Sequence, residues 1–161
     1  MKFRTEVCPD DLQRIYEIVT STGFFYEHEI AIAVELCQEH LTKGEKESGY
    51  SFIFAEDEAT GKTLGYVCYG EIPCTRQRYD LYWIAVHAEA QRKGIGKRLL
   101  QEAERMVAAH GGEIIFIETN SRDQYEPTRR FYLSCGYTIV AEIKDFYDDG
   151  DNKVIYSRRL R

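Results

Sequence analysis

The sequence predicts a mixed α/β fold: one central mixed sheet flanked by helices. Two observations predict it. Short apolar runs of strand length alternate with amphipathic helical segments, and the segments follow the order β-α-α-β-β-β-α-β-α-β-β without a repeat, low-complexity tract or linker between them. At 161 residues the chain has the length of one domain, taken as residues 1–161, and enough material for a sizeable core.

The elements follow in order. "KFRTEV" alternates and is short, which suits a first strand. "CPDDLQRIYEIVTSTG" carries helix signals: Pro9 and two acids near the start, Leu12, Ile15, Ile18 and Val19 at helical spacing, and Gly23 after the end. A second helix is expected in "YEHEIAIAVELCQEHLTKG", where Ile30, Val34, Leu41 and the alanines form one face and Gly44 ends it. "GYSFIFAEDEATGKTLGYVCYGEI" reads as a hairpin about the turn residues of "DEATGK".

"YDLYWIAV" is apolar at nearly every position, the pattern of a central strand covered on both faces. From Ile95 the residues Leu99, Leu100, Ala103, Met106 and Val107 fall on one side of a helix that "HGG" closes. "EIIFIET" reads as another buried strand and "EPTRRFYLSCG" as a short helix with Pro127 near its start. "YTIVAEIKDFY" and "KVIYSRRL" form a last hairpin about the acidic "DDGDN".

Composition narrows the function. A net charge of −6 argues against a nucleic-acid binder working through a general basic surface. The five cysteines are scattered without C-x-x-C spacing, and the four histidines lack ligand spacing, so no metal site is expected. Reduced thiols fit a cytoplasmic protein. No segment reads as a signal peptide or a membrane span, so no membrane partner is expected.

Against the acidic background, "QRKGIGKRLL" stands out. Gly94 and Gly96 are ringed by Arg92, Lys93, Lys97 and Arg98 at the start of a helix. The first amides of a helix have no internal partners, and the helix dipole favours an anion there. A pyrophosphate is the natural ligand for such an end. A Walker loop is excluded because no glycine lies at the required spacing and no Ser or Thr follows Lys97; a G-x-G-x-x-G turn is excluded because its third position is Leu99.

The strand ending at Val86 followed by Gln91-x-x-Gly94-x-Gly96 resembles the acyl-CoA signature of the GNAT superfamily of N-acetyltransferases. "TRRFYLSCGY" looks like the family's later motif, and the order of elements extends the likeness over nearly the whole chain. The resemblance implies a cytoplasmic acyltransferase using acetyl-CoA as co-substrate and no metal, a small-molecule primary amine as acceptor, and attack of the amine directly on the thioester. A protein or peptide amine acceptor, or a non-catalytic acyl-CoA-binding module, are the alternatives. A homodimer is compatible with the family and with the aromatics of this chain.

The resemblance also carries roles. The backbone of Ile84, Ala85 and Val86 would hold the pantetheine arm and thioester carbonyl. The segment Gln91, Arg92, Lys93, Gly94, Ile95, Gly96 and Lys97 would take the pyrophosphate. Tyr132 stands where the family often places a tyrosine near the CoA sulfur. Asp80 lies eleven residues before Gln91, the spacing of the glutamate base in histone-type members. Many members have Asn seven residues before that tyrosine; here it is Tyr125, and Asn120 is the nearby substitute. Transfer needs a base, an oxyanion donor such as the Val86 amide, and an acid for the thiolate, for which Tyr132 is the candidate. The base is Asp80, Glu118 on the next strand, or water. Glu27, Glu29, Asp145 and Asp148 would suit a cationic acceptor.

Overall fold

The computed structural model describes residues 1–160. Seven strands form one mixed sheet in the order β1-β2-β3-β4-β5-β7-β6, with helices packed on it. The strands are β1 Lys2–Arg4, β2 Ser51–Glu56, β3 Thr63–Glu71, β4 Arg78–Val86, β5 Ile114–Asn120, β6 Thr138–Asp148 and β7 Asp151–Arg159. The helices are α1 Asp11–Ser21, α2 Glu27–Lys43, α3 Glu45–Ser48, α4 Ile95–Ala109 and α5 Glu126–Ser134. β4 and β5 run parallel, whereas β1/β2, β2/β3, β5/β7 and β6/β7 are antiparallel.

The chain divides into two compact units, residues 1–70 with 83–106 and residues 71–82 with 107 onward. In the first, α1 and α2 bury Ile15, Ile18, Val19, Ala33 and Cys37 against Phe52, Phe54 and Tyr66 of β2 and β3. A polar node ties its start together. Arg4 donates to both Asp11 oxygens and to Glu56, while Asp11 also accepts from the Cys8 amide and from Arg14. Asp11 is 0% exposed, so these donors replace the water it has lost. The second unit buries Leu81, Ile115, Ile117, Tyr132, Tyr137, Val154 and Tyr156.

The structure departs from the sequence expectations at four places. β1 stops at Arg4 instead of running through Val7, because the chain turns there to deliver Cys8 to the Asp11 carboxylate. The four-residue α3 was not expected; it fits between Gly44 (φ +83°) and Gly49 (φ +76°), which break the chain on both sides of it. β4 is not covered on both faces: Leu81 and Ala85 are buried, but Tyr82 is 36% exposed. β5 likewise alternates, with Ile115, Ile117 and Thr119 buried and Glu118 exposed. One face of these strands stays partly open, as a face bearing Asp80 and Glu118 must to keep carboxylates hydrated. Apolar content alone misread it, because Tyr82, Trp83 and Phe116 count as apolar while standing only partly covered.

Candidate active site

In the first unit, β4 ends at Val86 and leads into a single 3-10 turn, Ala88–Ala90, whose last residue is buried. Gln91 follows in an extended conformation and donates from Nε2 to the Val86 carbonyl at 3.1 Å. That bond ties the turn to the strand end. Arg92 (φ +62°) and Gly94 (φ +75°) then take left-handed backbone, which reverses the chain into α4. The Arg98 amide donates to the Gly94 carbonyl at 3.1 Å as the first bond of the helix. The amides of Ile95, Gly96 and Lys97 therefore lie in the first turn, where no intrahelical acceptor exists. Arg92, Lys93, Gly94 and Lys97 are exposed. This is an anion-receptive end: free donors, the positive pole of a helix and exposed cations.

The strand before it holds Ala85 buried between the half-buried Ile84 and Val86. β3 approaches it closely; a Cβ on Gly65 would come within 2.7 Å of the Ala85 carbonyl oxygen.

In the second unit, the parallel register puts Asp80 opposite Phe116 and Leu81 opposite Ile117. Because side chains alternate, Asp80, Phe116 and Glu118 share one face. β7 pairs antiparallel with Glu118 opposite Ile155 and Asn120 opposite Lys153, which puts Lys153 on that face too. Lys153 Nζ lies 2.9 Å from Glu118 Oε2 and 4.1 Å from the centre of the Phe146 ring. Burial, then the negative charge of Glu118, pushes the Asp80 carboxyl up to about 6, and Lys153 pulls in the opposite direction. A carboxyl titrating there is charged at neutral pH yet basic enough to accept a proton.

Tyr132 is 4% exposed and packs against Tyr156 and Tyr137, with ring centroids at 5.8 and 6.2 Å. Burial, with smaller contributions from Tyr156 and Cys135, holds its hydroxyl well above the ordinary tyrosine range, so it is a neutral phenol. Asn120 donates from Nδ2 to Asp151 at 2.8 Å, and Arg129 donates to the carbonyls of Asn120 and Arg122. These bonds clamp the end of β5. Of the acids expected to suit a cation, Glu29 accepts from the Tyr26 amide, Asp145 from the Gly150 amide and Asp148 from the Asp149 amide.

Sequence reasoning placed Tyr147 within the segment 144–152 expected to help build an acceptor pocket but did not single out Lys153. The signal for Lys153 was its place two residues before Ile155, on the same side of a strand. Tyr147 belongs to a stretch where β6 bulges: Ile143 opposes Lys153 and Asp148 opposes Asp151, so four residues stand against one. Burial, then Glu118, Asp151 and Tyr125, raises the Tyr147 hydroxyl to about 12.

Residues 12–137 match the Acetyltransferase (GNAT) family, more than half of the chain. The chain belongs to that family. It is thereby a member of a family of acyl-transferring enzymes. A solved GNAT-family protein from Desulfovibrio desulfuricans is 43% identical to it, covers 99% of both chains and superposes with a TM-score of 0.94. The uncharacterized N-acetyltransferase YsnE of Bacillus subtilis (strain 168) is 32% identical over 69 residues, 43% of this chain and 45% of its own length. The chain thus spans about half the length of the curated relatives it matches. An aminoglycoside 6'-N-acetyltransferase solved in complex with coenzyme A shares the GNAT fold with a TM-score of 0.76 at 17% identity, over 100% of this chain and 98% of that one. No helix among the described residues is long and apolar enough to cross a membrane.

Proposed function

We propose that this protein transfers an acetyl group from acetyl-CoA to a primary amine of a small molecule by direct attack on the thioester. The observation that carries the proposal is the turn from Gln91 to Lys97, a set of unpaired helix amides behind a left-handed glycine and among exposed cations. In this reading the pyrophosphate sits on those amides, with Arg92, Lys93 and Lys97 adding charge. The backbone of Ile84, Ala85 and Val86 holds the pantetheine arm, and the Val86 amide faces the developing oxyanion. The coenzyme A bound to the aminoglycoside acetyltransferase of the same fold supports this choice of donor.

Asp80 takes the proton of the incoming ammonium, directly or through water, and Glu118 raises its affinity for that proton. The freed amine attacks the thioester carbon, an N–C bond forms, and the C–S bond breaks as the tetrahedral oxyanion collapses. The Tyr132 phenol gives a proton to the departing thiolate and regains one from the nitrogen, which sheds its second proton as the amide forms. Asn120 gives one amide hydrogen to Asp151 and keeps its second N–H and its oxygen for the donor. Incubating the protein with acetyl-CoA and a panel of amino acids, polyamines and amino sugars, read by mass spectrometry, tests the acceptor class. One acetyl group gained by a small amine supports it; acetylation of peptides alone would replace it with a protein acceptor.

A further inference from the structure

Lys153 has no part in the reaction as proposed above, yet its side chain is less exposed than those of Glu118 and Arg78 on the carboxylate face. Its side chain is 15% exposed, against 45% for its partner Glu118. Two contacts fix the ammonium: Glu118 Oε2 at 2.9 Å on the neighbouring strand and the Phe146 ring at 4.1 Å on the bulged stretch of β6. A lysine that had only to solubilise a strand would extend into water. This one is instead folded down over the face on which Asp80 stands. β7 sets its position, because the register opposite Asn120 brings it onto that face beside Glu118.

We propose that Lys153 is a positioning residue for the proton-accepting pair: its ion pair with Glu118 holds that carboxylate in place beside Asp80, and so fixes how readily Asp80 takes up a proton. The inference rests on the reading of Asp80 as the base. The groups facing Asp80 are Glu118 from β5 and Lys153 from β7. Tyr147 from β6 faces Glu118 in turn. On β4 itself the same face carries Tyr82 and Arg78, and Arg78 is paired with Glu113 at 3.1 Å. Lys153 opposes the rise that Glu118 causes at Asp80, and without it the two carboxylates lose that opposing charge. One of such a pair keeps its proton to higher pH. Asp80 is partly buried and Glu118 exposed, so Asp80 is the one that keeps it.

The test is a carbon-13 NMR titration of the Asp80 side-chain carboxyl in the wild type, Lys153→Met and Lys153→Arg, which needs no acceptor. The Met variant should move the midpoint up by about one pH unit, and the Arg variant should keep it close to the wild type. Lys153→Gln, which keeps a polar end without charge, should follow Met and covers the case in which Met fails to fold. An unmoved Asp80 midpoint in the folded Met or Gln variant would overturn the proposal. Failure of the base reading is separate: it would appear as an acid limb of the rate profile that survives in Asp80→Asn, whatever the Lys153 variants do.

Discussion

Gln91 reaches back 3.1 Å to the carbonyl of Val86, so the end of β4 and the start of the glycine turn are held as one piece. The strand proposed to hold the thioester and the turn proposed to hold the pyrophosphate thus have a fixed spacing. A donor bound to one is presented to the other without reordering either.

Asp80 makes the pH dependence specific. With its carboxyl at about 6, the rate should rise as pH passes through that value, and Asp80→Asn should lower turnover about 100-fold and flatten the rise. Stability moves the other way. A carboxyl raised above its ordinary value contributes stability that is full below about pH 4 and lost as pH rises through 6. At pH 8 the Asn variant should therefore melt about 2–4 °C higher than the wild type, about 1 kcal/mol after allowance for partial exposure, with no gain at pH 3. Thermal melts at the two pH values check this.

Tyr132→Phe should lower turnover about tenfold or more and leave acetyl-CoA affinity nearly unchanged, because the ring stays in its cluster with Tyr137 and Tyr156. Steady-state kinetics with calorimetry checks it. A large loss of affinity instead would make Tyr132 a packing or binding residue.

Asp11→Ala should destabilise the protein by about 3 kcal/mol, since it strands the partly buried Arg4 without its main partner. Burial alone would raise the Asp11 carboxyl, but hydrogen bonds from Arg4, the Cys8 amide and Arg14 outweigh it and bring the group below its ordinary 3.8. That stability is present above the ordinary value and is lost as pH falls through the lowered one. Denaturant melts of wild type and variant should show their difference shrinking as pH falls below 3.8.

The fold and the geometry of the glycine turn were legible in the sequence for local reasons. Gln91, Gly94 and Gly96 announce their turn because a left-handed glycine before a helix leaves a mark within a few residues. Asp80 was named through the family resemblance, by its spacing from Gln91 along the chain, and the structure puts it on one face with Glu118. Lys153 was not singled out, because the β5–β7 register that brings it to Glu118 is not written locally, and the bulge in β6 that brings Tyr147 there is no more visible in the sequence. The half-open faces of β4 and β5 were missed for a related reason: apolar content does not say which side a helix will cover.

The most direct test of the central claim is calorimetric titration with acetyl-CoA, and with CoA for comparison, of the wild type and Gly94→Val. Gly94 lies at φ +75° with open space where a side chain would stand, so valine acts by strain on the turn and not by a clash in the core. The account predicts micromolar binding by the wild type and its loss in a folded Gly94→Val. A folded wild-type protein that binds neither compound, or a Gly94→Val variant that binds as tightly as wild type, would contradict the assignment of this turn to the donor.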